Sequence, residues 1–342
     1  GPMKTVVLTD SGKLEVREVE IPELKRGEVL VKSKNCGICT LEQRLYSGEM
    51  NIGYPIVPGH EVSGVIVKVD ENVISNLTVG TPVAVDLVMR CGECYYCRNG
   101  QSNMCENRFN DQLELLGGFN EYIAVRASQV YPFNGGISFR EAAFAEPVAC
   151  CIRSLKRIGV SLAEDVLIIG AGSMGLLHLQ VARTMGARVI VSDPDGERLA
   201  KAEELGAAAV FNPDKCDIEA EVAKMTDGKG ANAAVVTSSA SSAMVGVFES
   251  LCKTGRISIY TSYLDERVIP IDANTLHKNE IIIAGTEGRT EQDFHQAVRL
   301  LSFGLIDVKP LISRIVSYEE IEQGMDDAMS SNTYRVLLEH EA

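Results

Sequence analysis

Four cysteines stand close together in RCGECYYCRNGQSNMCENR: Cys91, Cys94, Cys97 and Cys105, spaced 3, 3 and 8 residues apart. Thiolates at that spacing can close tetrahedrally on one ion, and a four-thiolate shell leaves no position for a substrate. The expected role is a structural zinc. An iron–sulfur cluster, a redox pair and four unrelated buried thiols are the alternatives; the spacing argues against the last, and colour would reveal the first. Four thiolates around one Zn²⁺ leave negative charge, which Arg90, Arg98 and Arg108 stand near enough in sequence to offset.

A second set is dispersed: Cys39 in CGICTLE, His60 and Glu61 in VPGHEVSG, and Glu146 in FAEPVACC. Each is weak alone, since a histidine beside Pro-Gly is usually a turn residue and an isolated cysteine a core thiol. Together they offer sulfur, nitrogen and carboxylate oxygen, a mixed set that suits a catalytic zinc with one open position. His60 and Glu61 are adjacent, and on a regular strand they would face opposite ways. Pro58-Gly59 breaks that regularity. Either both side chains approach one ion, or Glu61 serves a water there while Glu146 ligates or stands behind.

A third stretch, Val166 to Asp193, reads VLIIGAGSMGLLHLQVARTMGARVIVSD: an apolar strand, a glycine-punctuated turn, a helix and a second strand ending in an acid. Gly170, Gly172 and Gly175 give a tight turn, close approach to a pyrophosphate and close helix–strand packing, with Ser173 and Met174 inside the turn. The helix N-terminus offers free N–H groups to phosphates. Asp193 suits a ribose hydroxyl and repels a 2'-phosphate, so NAD is favoured over NADP. Arg198 leaves some room for a phosphate, and the competing reading of Asp193 is a cap on the next helix, GERLAKAEELG.

Those residues need elements to hold them. KTVVLTD, KLEVREVEI, EVLVKSKN, VSGVIVKVD and TPVAVDLVM read as strands, so the first 130 or so residues look like a small barrel or sandwich with its chemistry in the loops. Past Glu146 the pattern alternates: helix CCIRSLKRIGV, VIVSD, GERLAKAEELG, AAVFN, IEAEVAKMTDG, ANAAVVTS, a helix over SAMVGVFESLCKTG, RISIYTS and EIIIAGTEG. Strand and helix in turn imply a parallel doubly wound sheet. The expected division is residues 1–152 with 288–342 for the metal-bearing domain and 153–287 for the dinucleotide domain. FHQAVRLLSFG, SYEEIEQGMDDAMS and YRVLLE close the chain as helices and a strand, and RISIYTS is a candidate edge strand for pairing with a second copy.

The composition, 45% hydrophobic and 23% charged over 342 residues, is that of a two-domain globular protein. Lys and Arg number 33 against 47 Asp and Glu, a net charge of -14, which argues against a nucleic-acid or anionic-membrane partner. No leader-like or membrane-length apolar run is present. Ten cysteines with these spacings point to thiolate ligands in a reducing compartment, the cytoplasm. Cys150, Cys151, Cys216 and Cys252 have no ligand-like neighbour, His178 reads as helix packing, and His277, His295 and His340 carry no motif.

GHE at 59–61, GIC ending at Cys39, the four-cysteine loop, Glu146-Pro147 and GAGSMG together resemble the zinc-dependent medium-chain dehydrogenases over essentially the whole chain. The polyol branch, with sorbitol and galactitol-phosphate dehydrogenases, is most similar, because Glu61 and Glu146 take places that differ in the classical alcohol dehydrogenases. The resemblance implies an α/β chain: a Rossmann doubly wound parallel sheet inserted into a chaperonin-10-like β-barrel catalytic domain, with a cleft between them that closes during hydride transfer. It implies two Zn²⁺ per chain, one catalytic and one structural, and NAD-dependent oxidation of a secondary alcohol of a polyol, sugar or sugar-alcohol derivative. It also implies a homodimer or homotetramer, and a substrate pocket drawn from residues after Cys39 such as Glu42, Arg44 and Tyr46, from the region around Phe109 and Phe119, and from Glu287 and Arg289. A threonine-type amino-alcohol dehydrogenase is a rival on the same zinc sites; a quinone-reductase-like member would need no catalytic metal.

Two residues depart from the family pattern. Leu41 stands where a proton-relaying Ser or Thr is usual, so the proton is expected to leave by water or through Glu42 or Glu61, and a zinc- and NAD-binding protein without turnover is the further rival. Glu42 stands where Asp usually orients the ligating histidine, and the same service to His60 is expected of it.

Overall fold

A computed structural model of the chain describes residues 1–109, 116–134 and 136–342. Two compact units are present: Gly1–Ala149 with Thr290–Ala342, and Cys150–Arg289. The first crossing falls slightly earlier, and the second slightly later, than the sequence pattern places them. The reason is local, because the first lies inside a single helix, Ala145–Arg157, where no break in periodicity marks it.

The first unit opens with strands β1 (Pro2–Asp10), β2 (Lys13–Glu20) and β3 (Glu28–Ile38), helix α1 (Thr40–Ser47), and strands β4 (Glu61–Val69) and β5 (Pro82–Asp86). Helix α2 (Tyr95–Arg98), strands β6 (Tyr122–Arg126) and β7 (Val130–Pro132), helix α3 (Phe139–Ala142) and helix α4 (Ala145–Arg157) follow. The second unit contains β8 (Asp165–Ile169), α5 (Ser173–Thr184), β9 (Arg188–Ser192), α6 (Gly196–Glu204), β10 (Ala209–Phe211) and α7 (Ile218–Met225). It ends with β11 (Ala231–Val236), β12 (Leu251–Ile259), α8 (Ala273–Asn279) and β13 (Ile282–Gly285). The chain then returns to the first unit as α9 (Glu291–Ser302), β14 (Ile312–Val316), α10 (Ile321–Met329) and β15 (Arg335–Glu339).

In the first unit the sheet runs β14-β15-β3-β4-β5-β7, with β6 also paired to β3, while β1 and β2 form a separate hairpin. The last strand of the sequence thus pairs with β3, with Val336 opposite Ile38. Strand β3 is buried along most of its length, because it has sheet partners on both edges and packing on both faces. Val31, Ile38, Val62, Ile66 and Val85 are shut off from water there, each contributing roughly 1.5–3 kcal/mol of transfer free energy.

In the second unit all neighbours in the order β10-β9-β8-β11-β12-β13 are parallel. The connections reverse direction between β8 and β11, and in open parallel sheets ligands bind beyond the carboxyl ends of the strands at such a point. Two local expectations fail. SAMVGVFESLCKTG forms short 3-10 turns at Ser241–Met244 and Phe248–Ser250, and Leu251 already starts β12. β-Branched Val245 and Val247 flank Gly246, whose φ of 77° ends any helix there. RISIYTS is not an edge, because β12 is paired by β11 on one side and β13 on the other. The open edges are β10 and β13. Among the described residues no helix is long and apolar enough to cross a membrane.

Candidate active site

Cys39 caps helix α1. Its sulfur accepts a hydrogen bond from Leu41 N at 3.3 Å, and Glu42 Oε1 reaches back to Cys39 N at 3.3 Å, a capping box with cysteine in the serine position. The other oxygen of Glu42 accepts from His60 Nδ1 at 2.9 Å. One fully buried carboxylate therefore holds both the cysteine backbone and the histidine ring. With Nδ1 turned to Glu42, His60 turns Nε2 toward Cys39 Sγ at 3.5 Å and Glu146 Oε2 at 3.6 Å.

The turn before β4 delivers the imidazole. Gly59 has φ of 102°, and a Cβ there would press into Cys36 and Phe119, so only glycine fits. Glu61 is the first residue of β4, opposite Gly37 on β3, and a Cβ on Gly37 would overlap its carboxylate. Glu61 Oε1 lies 3.3 Å from Arg335 Nε, and both side chains are buried. Glu146 sits in the first turn of α4, where free N–H groups favour an acid and where Pro147 forfeits no helical hydrogen bond.

The electrostatics call for a cation here. Burial alone would depress His60, but Cys39, Glu42 and Glu146 hold it well above the ordinary imidazole range. Burial pushes Glu61 up to about 7, with Arg335 opposing and Glu146 assisting, and burial followed by the Glu42 charge pushes the Cys39 thiol up to about 12. His60, Glu61 and Glu146 each offer a ligand atom within 4.8 Å of the others, as do Cys39, Glu42 and His60.

Cys91, Cys94, Cys97 and Cys105 likewise bring their sulfurs within 4.8 Å of one another. Backbone amides point at these sulfurs: Cys91 N at Cys105 (3.4 Å), Glu93 N and Cys94 N at Cys91 (3.3 and 3.2 Å), Cys97 N at Cys94 (3.4 Å), and Asn107 N at Cys105 (3.3 Å). The Asn107 side chain and these amides lower Cys91 to about 6, backbone amides lower Cys94, and burial raises Cys97 to about 12. Of the arginines expected to offset the thiolate charge, two bond carbonyls of the loop itself. Arg90 pairs with Asp86 and Glu291, Arg98 donates to Glu93 O, and Arg108 donates to Cys105 O and lies over Phe109. Amide dipoles on the loop add to that compensation.

In the second unit a Cβ on Gly175 would collide with Gly170 O, so the α5 helix can sit this close to the end of β8 only with glycine. Asp193 Oδ2 accepts from Ala171 N and Oδ1 from Asp195 N, both at 2.8 Å. The cap of α6 is Asp195, which accepts from Glu197 N and Arg198 N, so Asp193 is not spent on capping. The Arg198 guanidinium lies over the turn, 3.1 Å from where a Cβ on Gly172 would stand. A cavity opens beside these residues, lined by Gly170, Asp193, Pro194, Ser238, Val245 and Gly246.

The model of the alcohol dehydrogenase GroES-like domain matches residues 25–135, and that of the zinc-binding dehydrogenases residues 173–302. D-arabitol-phosphate dehydrogenase of Enterococcus avium is 30% identical over 94% of this chain and 92% of its own. An alcohol dehydrogenase of Geobacillus stearothermophilus is 34% identical over 90% and 93%. The chain belongs to the zinc-dependent medium-chain dehydrogenases. Among solved structures, galactitol-1-phosphate dehydrogenase from Escherichia coli superposes with a TM-score of 0.89 at 26% identity, covering 98% of this chain and 99% of that one.

This medium-chain dehydrogenase is therefore a zinc-dependent alcohol oxidoreductase, with a Rossmann sheet inserted into a GroES-like domain. Its structural zinc belongs to Cys91, Cys94, Cys97 and Cys105, and its catalytic zinc to the site of Cys39 and His60. Leu41 packs with the apolar cluster of Leu8, Leu45, Ile56 and Leu116. Phe119, in a region expected to line the pocket, is itself a core residue beneath Gly59. Sequence reasoning missed Arg335, which no motif marks and which only strand pairing brings to Glu61. It also missed the neighbour of Cys151, whose sulfur lies 3.3 Å from His178 Nδ1.

Proposed function

We propose that the enzyme oxidises a secondary alcohol of a polyol, sugar or sugar-alcohol derivative with NAD, and runs the reverse carbonyl reduction. The observation that carries this reading is the arrangement of Cys39 Sγ and Glu146 Oε2 about His60 Nε2, at 3.5 and 3.6 Å. Donors 2.0–2.3 Å from a tetrahedral ion stand roughly 3.4–3.7 Å from one another, so Cys39 Sγ and Glu146 Oε2 each stand at a co-ligand's distance from His60 Nε2, which supports three protein donors with the fourth position left to a substrate oxygen. Glu146 is accordingly the ligand, and Glu61, bound to Arg335, stands behind it. When bound, zinc supplies the Lewis acidity that makes an alcohol oxygen acidic and its carbon a hydride donor.

The chain's own residues orient and exclude. Glu42 fixes the His60 tautomer and is thereby a positioning residue rather than a relay. Leu41, packed against its apolar neighbours, holds no proton, so the proton released from the substrate goes to water. Asp193, with its carboxylate oriented by two backbone amides, accepts from a ribose hydroxyl and repels a 2'-phosphate, which favours NAD. The polyol assignment is supported by relatives named for arabitol phosphate and galactitol 1-phosphate. Arg44, half-buried in the helix that Cys39 caps, is a candidate for an anionic substituent.

The reading includes a homodimer or homotetramer in the cytoplasm. The unpaired edge of β13, with Ile282 exposed, supports the first, and ten free cysteines the second. The test follows NADH formation with a panel of sugar alcohols, polyol phosphates, sugars, threonine and simple alcohols. Turnover on a polyhydroxyl substrate is expected. Turnover confined to threonine would replace the polyol reading with the amino-alcohol one, and silence from zinc-loaded enzyme that still binds NAD would leave a binding protein.

A further inference from the structure

His340 follows β15 in a sequence context with no motif, yet it is only 4% exposed. Its Nε2 lies 2.9 Å from Gly118 O, and its Nδ1 lies 2.6 Å from the hydroxyl of buried Tyr318. A carbonyl can only accept, so the proton sits on Nε2 and the phenol donates to Nδ1. Burial lowers the imidazole to about 4 and raises the phenol, so the ring stays neutral and the hydroxyl protonated. Lys4, Glu121, Glu319 and Glu341 are the charged groups around the tyrosine, and Lys4 is paired to Glu341.

The far side of Gly118 leads to the metal histidine. Gly118 N donates to Gly59 O at 2.9 Å and Phe119 N to Pro58 O at 3.0 Å. A Cβ on Gly118 would stand 2.6 Å from Cys36 Sγ and from Val62 Cγ2, and 3.0 Å from the Gly59 carbonyl carbon. The two glycine backbones thus touch with no side chain between them, so a displacement of Gly118 is passed to Gly59 without a soft intermediary. The backbone N–H of His340 also donates to Lys34 O at 2.9 Å, on the strand that ends beside Cys39.

We propose that His340 is a positioning residue for the metal site, setting the Pro58–His60 turn through Gly118 and the strand leading to Cys39 through Lys34. The inference rests on the reading that Cys39, His60 and Glu146 hold zinc. A ring anchored at both nitrogens and at its own backbone amide stiffens two of the three segments that carry those donors, and Arg335 on β15, the strand that His340 follows, holds Glu61.

The experiment compares wild type with His340→Leu, His340→Gln and Tyr318→Phe by zinc content, the rate of zinc removal by a chelator, amide exchange over residues 57–62, and NADH affinity. In His340→Leu one of two zincs should leave about tenfold faster, as for other partners that orient metal-binding side chains, with the four-cysteine zinc and NADH affinity unchanged. Exchange at Gly59 and His60 should rise. His340→Gln, whose amide can still donate to Gly118, should recover most of the retention. Tyr318→Phe removes a hydroxyl without opening a cavity; it should show a roughly threefold effect and keeps the test available if His340→Leu does not fold. Unchanged zinc release and exchange, loss of both zincs in parallel, or failure of His340→Gln to rescue would each overturn the positioning role. Wild type holding only the four-cysteine zinc would overturn the metal reading instead, and the two failures are distinct.

Discussion

The two metal sites of the first unit are built on opposite plans. Cys91, Cys94, Cys97 and Cys105 come from one loop, and the loop's own amides point at the sulfurs. Cys39 and His60, with Glu146 as the proposed third donor, come from a helix cap, a turn and a second helix, and residues still farther off pack against them: Gly118 under the turn, and Arg335 on the neighbouring carboxylate. The first site lowers Cys91 to about 6 and lowers Cys94 through its own amides, leaving Cys97 raised to about 12, whereas in the second site burial and the Glu42 charge push the single thiol, Cys39, up to about 12. A closed thiolate site is thus a local device that stabilises its own loop. An open mixed-donor site needs the whole unit, because its donors come from separate segments. The price of a free coordination position is dependence on distant packing.

Four substitutions or conditions would break or sharpen this contrast. His60→Ala should cost the greatest activity, about a thousandfold or more in turnover, because several kcal/mol of charge stabilisation go with the metal. The four-cysteine zinc should stay bound; activity within tenfold of wild type would refute the assignment. Cys97→Ser should do the reverse in kind, destabilising the chain by roughly 4 kcal/mol or more through loss of the structural metal, as read by denaturant unfolding. A variant of wild-type stability would mean that the loop does not depend on its ion.

Glu42→Gln sharpens the comparison at the open site. The amide oxygen can still accept from His60 Nδ1, but the charge is gone, so zinc affinity should fall by about tenfold, measured by chelator competition. No change would remove Glu42 from its positioning role. The last effect lies outside the metal sites, in acid stability. His178 and His340 are held neutral by burial, each lowered to about 4 from an ordinary 6.5. The unfolded chain takes up protons that the folded chain refuses, so this stability is complete above pH 6.5 and declines as pH falls toward 4, by up to roughly 3 kcal/mol per group. Unfolding at pH 7 and pH 5 should show less acid sensitivity in His178→Gln than in wild type; equal sensitivity would contradict it.

The contrast also explains what was legible in the sequence. The four cysteines and the glycine turn announced themselves because their function is local: ligands within one loop, or phosphate-facing amides within one turn. Parallel order in the second unit was legible too, since strand and helix periods alternate. The SAMVGVFESLCKTG segment was misread because its apolar spacing suits a helix while Val245, Gly246 and Val247 break one. The edge of the sheet was misread because strand order is a tertiary fact. At the open site the donor types were readable, but their ranking was not: Glu61 and Glu146 differ only in that Arg335 faces one and His60 Nε2 the other. Arg335 and His340 lie far along the chain from the residues they steady, and nothing in their local sequence marks them.

Zinc counting on three proteins tests the central claim most directly. Wild type should hold two zincs per chain, and Glu146→Ala and Cys97→Ser one each, with NADH formation abolished only in the first if the second remains folded. Glu146→Ala retaining both zincs and full turnover would contradict the account, because the third corner of the catalytic site would then belong to another residue.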